Sequence, residues 1–316
     1  MSQTKDAIIV GSGPAGYTAA LYLARANMKP LVITGQAFGG LIATTDQIEN
    51  FPSTIDAEGN VGIGGWELME KMQQQAEHFG AETLWETVTE LKLTNVPGGE
   101  HIVMVGDQEY RSKVVILSTG CSHRHIGIEA ETRLNNKGVS YCATCDAALC
   151  RDKRVVVVGG GDSAITEALF LTKFASHVII VHRRDQLRAS KIMDARARAN
   201  PKISFEWNAV VSDIKGDDHV VGVELTSTVD GSKKEVECDN IFVAIGHVPN
   251  VDLVKDQVAL DAHGFVLVEG VTTKTSLPGV FAAGDVTDSQ YRQAITAAGM
   301  GCKAALDAGA YLQEFE

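Results

Sequence analysis

A layered α/β fold is what the sequence predicts, and three observations carry that reading. Two units of strand, Gly-rich turn, helix and strand stand at 8–34 and 155–181. Two further apolar runs, Lys113 to Gly120 and Asn240 to Gly246, each end in glycine. The apolar runs are continuous and β-branched rather than alternating, as in parallel strands buried on both faces. A chain of 316 residues has room for two such domains, at roughly 150 residues each.

The elements follow in order. Ile8-Ile9-Val10 is a strand, Gly11 to Gly16 a turn, and the pattern through Tyr17, Ala20, Leu21 and Leu23 a helix; Pro30 to Thr34 then closes a βαβ unit. The same plan returns in Val155 to Val158, Gly159 to Ala164, the helix through Ile165, Ala168, Leu169 and Leu171, and the strand His177 to Val181. The two copies lie far too far apart for a solenoid repeat. Segments 87–105 and 206–237 alternate apolar and polar residues around turns such as Pro97-Gly98-Gly99 and Val229-Asp230-Gly231, which predicts antiparallel hairpins. Thr275 to Ala283 reads as a strand ending in Gly284-Asp285, and Ala294 to Asp307 as a long helix of small residues. Domain crossings fall just after Gly120 and just after Gly246. Residues 121–247 are then an insert, and 1–120 joins 248–316 in one discontinuous domain.

Composition narrows the function. Hydrophobic residues at 45% and charged residues at 22% are ordinary for a globular chain and rule out a disordered or fibrous one. A net charge of −12 argues against a general nucleic-acid binder, which would need a basic face. No apolar run approaches the roughly 18 residues that span a bilayer. The N-terminus passes into a strand without a signal-peptide pattern, so a cytoplasmic protein is expected. Six cysteines are too few for a secreted disulfide scaffold in so long a chain.

Four motifs carry chemistry. In Gly11-x-Gly13-x-x-Gly16 the first glycine allows the tight turn, the second admits a pyrophosphate to backbone N–H groups, and the third lets helix and strand approach. The helix N-terminus adds partial positive charge. A packing turn is the bland alternative, but the strand–turn–helix context favours a dinucleotide. The acidic residue that usually holds a ribose hydroxyl about 20 positions on is replaced by Thr34-Gly35. Gly159-x-Gly161-x-x-Ala164 repeats the device, and its second strand runs into His182-Arg183-Arg184, with Arg188 beyond. Guanidinium forks where a carboxylate would hold NAD match a 2′-phosphate and indicate NADPH; the alternative is a solvated basic turn. Cys142-Ala143-Thr144-Cys145-Asp146 is a CxxC beside βαβ elements and points to a redox disulfide. Zinc, with Cys121, His123, His125 or Cys150 recruited, is the competing reading, although no second CxxC is present. Asp146 is placed to give a proton to a departing thiolate, or to cap the next turn. Cys238 and Cys302 read as small buried residues. Finally, Gly284-Asp285 at a strand end, with Tyr291-Arg292-Gln293-Ala294 opening a helix, suits a flavin once the first fingerprint is granted. The fold class is therefore α/β: two Rossmann-like (three-layer ββα) dinucleotide-binding domains, the second inserted in the first.

Over nearly its whole length the sequence resembles the bacterial low-molecular-weight thioredoxin reductases. The resemblance rests on GSGPAG at 11–16, TGQAFGG at 34–40, ENFP at 49–52, STG at 118–120, CATCD at 142–146, GGGDSA at 159–164, HRRDQLRASK at 182–191, AIGHVPN at 244–250 and the run from Thr275 to Ala294. It implies a homodimeric enzyme that passes reducing equivalents from NADPH through FAD to the CxxC pair and on to thioredoxin. Carried over by motif, Cys145 faces the flavin, Cys142 exchanges with thioredoxin and Asp146 is the acid. FAD would meet Gly11, Ser12, Gly13, Pro14, Ala15 and Gly16, then Thr34, Gly35, Gln36, Gly39, Gly40, Leu41 and Asn50. It would also meet Thr119, Gly120, Gly284, Asp285, Arg292, Gln293 and Ala294. NADPH would meet Gly159, Gly161, Asp162, Ser163 and Ala164, with His182, Arg183, Arg184 and Arg188 at its phosphate. No metal, membrane or nucleic-acid partner is implied. Thr34-Gly35 is the family's own habit in place of the ribose carboxylate.

The sequence departs from the family at Leu41 (usually Gln), Ser53 (Gly), Ala147 (Gly) and in a longer, Gly-richer segment 54–66. Two other functions use similar parts: a dithiol oxidase without NADPH, which Arg183 and Arg184 speak against, and a non-catalytic flavin or zinc sensor. Because the CxxC and the second fingerprint share the insert, a rotation about the two crossings is expected, so that one flavin can meet both.

Overall fold

Ala7–Val10 and Pro30–Ile33 are buried at every position and lie parallel, Ala7 opposite Pro30 and Val10 opposite Ile33. Continuous burial of such runs is possible only when both faces are covered. In the computed structural model, which describes residues 3–55 and 58–315, these strands form the middle of a five-stranded parallel sheet. Its order is Val280–Ala282, Val115–Leu117, Ala7–Val10, Pro30–Ile33 and Glu82–Leu84. Ile8 and Ile9 have no exposed surface, and each such side chain contributes about 1.5–3 kcal/mol relative to exposure.

The chain divides into two compact units, Met1–Ser122 with Val248–Glu316, and His123–His247. In the first, helix Pro14–Arg25 packs on helix Ala294–Gln313 at very close range. A Cβ on Gly301 would lie 2.1 Å from the carbonyl oxygen of Ala15, which explains the small-residue composition of the longer helix. A four-stranded sheet of Gln3–Thr4, Gln108–Ser112, His101–Val105 and Glu90–Lys92 accompanies the parallel one.

The second unit repeats the plan. Val139–Ser140, Asn240–Val243, Arg154–Val158, His177–His182 and Ile203–Trp207 form a five-stranded parallel sheet in that order. Beside it stands an antiparallel sheet of Ala209–Lys215, Gly222–Ser227 and Lys233–Glu237.

Several expectations need correction. Glu206, read as the start of a hairpin, belongs to the edge strand Ile203–Trp207 of the parallel sheet. Every residue of that strand is half-buried, because Phe205 and Trp207 stack at 4.8 Å and Arg198 covers both rings, so no continuous apolar run marks it. The strand expected from Thr275 is only Val280–Ala282. The helix expected to end at Asp307 continues to Gln313. Cys302 is half-buried rather than buried. Ser53, where the family places glycine, holds φ +70, a left-handed conformation that costs an L-residue roughly 1–2 kcal/mol. Ala147 has φ −60 and is buried, so nothing in the backbone requires glycine there. Within segment 54–66, residues 56 and 57 lie outside those described.

One buried group sets a pH limit on the first unit. His101 is fully buried; its Nδ1 accepts the Thr94 N–H at 3.2 Å, while its Nε2 is buried without a partner. Burial pushes the imidazole down to about 4, against a smaller upward pull from the Pro278 carbonyl. Below an ordinary histidine value of 6.5 the unfolded chain takes a proton that the folded chain refuses, so stability drains as pH falls from 6.5 to 4. We expect about 3 kcal/mol to be lost over that window, and His101→Gln to flatten that part of a urea-denaturation pH series. An unchanged slope would remove His101 from the acid response.

Candidate active site and cofactor cradles

Parallel sheets place the loops that follow their strands along one edge, where ligands of α/β folds bind. In the first unit that edge carries Gly11, Thr34, Thr119 and Asp285, each just beyond a strand. Gly13 precedes helix Pro14–Arg25 in extended backbone, and neither a capping side chain nor an acidic residue closes the first turn. A Cβ there would meet only the Gly39 carbonyl oxygen, at 3.7 Å, so the space beside the helix N-terminus is open. An anion such as a pyrophosphate fits it. Gly11 and Gly16 are needed for a different reason. A Cβ on Gly16 would lie 2.1 Å from the Gly11 carbonyl oxygen, and one on Gly11, at φ +112, would lie 2.3 Å from that of Ser118.

Several predicted residues brace the cradle from within. Ser12 is buried, donates to the Thr34 carbonyl at 3.1 Å and accepts the Gly39 N–H at 3.0 Å. Ser118, which sequence reasoning passed over, donates to the carbonyls of Val10 and Gly11, both at 3.0 Å. Thr119 donates its hydroxyl to the Asn250 carbonyl at 2.7 Å, and Asn250 returns an amide to the Thr119 carbonyl at 2.9 Å.

Beyond the strand Pro30–Ile33 opens a cavity of about 400 Å³, lined by residues 34–38, Gly40, Ala43, Thr44, Trp66 and Trp85. The Phe38 ring stacks on Trp85 at 4.7 Å and tilts against Trp66 at 4.9 Å. Neither tryptophan was a sequence candidate; they come from distant segments, and no spacing announces them. Leu41 is exposed.

At the other side of this edge, Asp288 shapes a loop by accepting the N–H groups of Gln290, Tyr291 and Arg292. Arg292 is thereby held at φ +48, and Gln293 caps the helix that Ala294 begins. Asn50 donates to the Gln293 side chain at 3.4 Å. Asp285 accepts from the Cys121 thiol at 3.7 Å. Burial raises its carboxyl to about 6 and the Asp288 charge adds to this, while Cys121 and Arg292 oppose it. A carboxyl in this setting suits a ligand hydroxyl that can supply the missing hydrogen bonds. The residues present fit FAD.

The second unit sets Ser140, Val158, His182 and Val243 at the ends of adjacent parallel strands, so the CxxC and the second glycine turn share an edge. A Cβ on Gly161 would meet nothing within 4 Å, whereas one on Gly159 would lie 2.5 Å from the Ala244 carbonyl oxygen. Gly160, missed in the sequence, has no room for a side chain because the His182 ring lies 2.3 Å from where its Cβ would stand. His182 is buried, with an unpartnered Nε2. Burial holds its imidazole below the usual range; the Arg188, Arg183 and Arg184 charges add to this, against a Gln186 carbonyl. Those three arginines are exposed, and the backbone N–H of Arg188 folds the basic loop onto the Gly160 carbonyl at 2.7 Å. Asp162 accepts both the N–H and the hydroxyl of Ser190, at 2.9 and 2.8 Å, which ties this loop to the helix start. Ser163 is exposed and Ala164 buried. The open cradle and the clustered guanidiniums fit NADPH.

Cys142 and Cys145 are joined by a disulfide across a single helical turn, Ala143–Asp146. Cys145 is exposed and Cys142 half-buried. Asp146 is not a cap for the following turn: no capping bond forms, and its Oδ2 instead accepts the Ser140 hydroxyl at 2.6 Å. Ser140 Oγ in turn accepts the Cys142 N–H at 3.1 Å. Among the described residues no group of three or more His, Cys, Asp or Glu side chains could hold a metal ion.

Comparison with known proteins agrees with this geometry. The family model described as pyridine nucleotide-disulphide oxidoreductase matches residues 5–301. A thioredoxin reductase of Mycolicibacterium smegmatis is 52% identical over 314 residues, covering 99% of this chain and 98% of that one. One from Streptomyces clavuligerus is 50% identical, covering 99% and 95%. Among solved structures, a thioredoxin reductase from Streptococcus pyogenes superposes with a TM-score of 0.90 at 40% identity, covering 99% of each chain.

Proposed function

Because the chain belongs to the pyridine nucleotide-disulphide oxidoreductase family and, within it, to the low-molecular-weight thioredoxin reductases, we propose that it takes electrons from NADPH rather than NADH. On this reading FAD sits in residues 1–120 with 248–316, and NADPH in residues 121–247, the segment that also carries the redox pair. FAD, when bound, would take two electrons from NADPH and, so reduced, supply them to open the Cys142–Cys145 disulfide.

The chain's own residues do the rest. Gly13 and Gly161 leave the two helix N-termini free for pyrophosphates, and Asp285 takes a cofactor hydroxyl. Arg183, Arg184 and Arg188 hold the 2′-phosphate that distinguishes NADPH. As the S–S bond opens, Asp146 gives a proton to the sulfur that leaves, and its carboxylate takes a proton back before exchange with thioredoxin. The Cys142 thiolate then attacks thioredoxin's disulfide, and Cys145, losing its own proton, resolves the mixed disulfide by attacking Cys142; the bond re-forms, and thioredoxin's two sulfurs take up the two protons that the enzyme's thiols gave up. Assembly as a homodimer in the cytoplasm belongs to the same reading. No described helix is long and apolar enough to cross a membrane.

The observation that carries the proposal is the disulfide of Cys142 and Cys145, with Asp146 held against Ser140, on the edge that also bears the second glycine cradle. The test is NADPH oxidation by the purified protein with a panel of thioredoxins, NADH serving as control. Bleaching of a yellow protein by NADPH, with turnover only when thioredoxin is added, is the expected result. A protein that NADPH does not bleach would sink the reading.

A further inference from the structure

Tyr141 stands between the strand Val139–Ser140 and the redox turn, directly before Cys142. Its half-buried side chain is fixed at both ends. The ring lies nearly parallel to that of His123 at 4.5 Å and meets the His125 ring edge-on at 5.5 Å. At the tip, the phenol hydroxyl donates to Glu131 Oε1 at 2.9 Å and lies 3.0 Å from His125 Nδ1. Glu131 is only 1% exposed. It also accepts the N–H groups of Ile126 at 3.1 Å and Gly127 at 2.9 Å, with His125 Nδ1 at 3.3 Å. A carboxylate so buried persists because its oxygens are satisfied, and any donor withdrawn leaves it short. Burial, and then the pairing with Glu131, push the Tyr141 phenol far above its ordinary value, so it stays protonated and remains a donor. The route of electrons does not call on this network, yet it ends on the residue next to the cysteine assigned to thioredoxin. The Tyr141 main chain cannot shift without drawing its ring from His123 or its hydroxyl from Glu131, and Cys142 continues directly from it.

We propose that Tyr141 is a positioning residue for disulfide exchange: anchored on Glu131, it holds Cys142 where Cys145 can close upon it. The proposal rests on the reading of Cys142 as the cysteine that exchanges with thioredoxin. In the mixed disulfide Cys142 is bonded to thioredoxin. Cys145 gives up its proton and attacks the Cys142 sulfur. The Cys142–Cys145 bond forms and the bond to thioredoxin breaks. The thioredoxin sulfur leaves with the electron pair and takes up a proton, so the step needs no further oxidant or reductant. This closure is intramolecular, and its rate and equilibrium follow how often the two sulfurs meet in the right geometry. A loosened Cys142 meets Cys145 less often. Closure then slows, the open dithiol gains on the disulfide, and the pair becomes a weaker reductant.

The test uses the holoenzyme in three variants. Tyr141→Phe keeps the ring and removes the hydroxyl, Tyr141→Leu removes both, and Glu131→Gln alters the anchor. Two quantities are measured. The potential of the Cys142–Cys145 pair is read by equilibration with thioredoxin at known dithiol-to-disulfide ratios, followed by alkylation and mass spectrometry. The lifetime of the mixed disulfide with thioredoxin is read by rapid acid quench. Tyr141→Phe should lower the equilibrium constant for closure about tenfold, which makes the potential about 30 mV less negative. The mixed disulfide should live longer by a similar factor, and Tyr141→Leu should do more. Glu131→Gln combined with Tyr141→Phe should cost less than the two single changes summed. Wild-type potential and lifetime in Tyr141→Phe overturn the proposal, even where Tyr141→Leu departs from them. A variant that melts earlier with both quantities unchanged overturns it too, because the anchor then serves stability alone. Where Glu131→Gln does not fold, the two Tyr141 variants decide. If peptide mapping of the wild-type mixed disulfide finds thioredoxin on Cys145, the assignment of Cys142 fails instead.

Discussion

Cys145→Ser will be bleached by NADPH and yet fail to reduce thioredoxin. Sulfur at both positions is indispensable, because the pair must open to accept two electrons and close to release them. A serine hydroxyl can neither form the bond nor exchange it. The loss of thioredoxin turnover should be on the order of a thousandfold or more, as when a covalent nucleophile is removed from other enzymes. Bleaching should survive, because the residues that fit NADPH lie elsewhere along the edge: Gly159 to Ala164 follow a different strand, and Arg183 and Arg184 a third. Cys142→Ser should lose turnover equally, since either serine leaves a lone thiol. Stopped-flow bleaching and insulin-coupled thioredoxin reduction separate the two half-reactions. Wild-type thioredoxin rates in either variant would take the CxxC out of the mechanism.

The second large effect concerns the coenzyme. Arg183→Gln and Arg184→Gln should each raise KM for NADPH about tenfold or more, since a charge-assisted hydrogen bond is worth about 1.5–3 kcal/mol. NADH, which lacks the 2′-phosphate, should be used about as well as before, so the double variant should lose most of its preference. The fold gives this test a clean background. Both side chains are exposed, and the structural bonds of these residues run through their carbonyls: Thr228 donates to that of Arg183 at 3.2 Å, and the Asn208 N–H to that of Arg184 at 3.2 Å. Glutamine leaves those bonds in place. Equal losses with NADPH and NADH would mean that the arginines serve folding instead.

What the sequence disclosed follows from range. A glycine turn between a strand and a helix is a local pattern, so Gly11 to Gly16 and Gly159 to Ala164 could be read directly, as could the CxxC. The braces could not. Ser118 acts on Gly11 across 107 residues, and the Phe38, Trp66 and Trp85 cluster assembles three separate segments. Nothing in their spacing connects them. Ser140 stands nearer, six residues from Asp146, but a serine ending a short strand looks like any other. The edge strand Ile203–Trp207 was missed for a physical reason: an arginine covers its aromatic rings, and its half-buried pattern mimics a hairpin.

Three of the four remaining cysteines bear on how tightly electrons are confined. Cys121, Cys150 and Cys238 are all buried, and burial pushes each thiol up to about 12. Near neutrality such a thiol is ionised only about once in 10⁵ molecules, and only the thiolate attacks disulfides. When the redox pair is reduced, these three buried thiols therefore stay protonated. Scrambling of the redox disulfide through these three thiols is thereby slowed. The protein's own interior serves as the insulating dielectric.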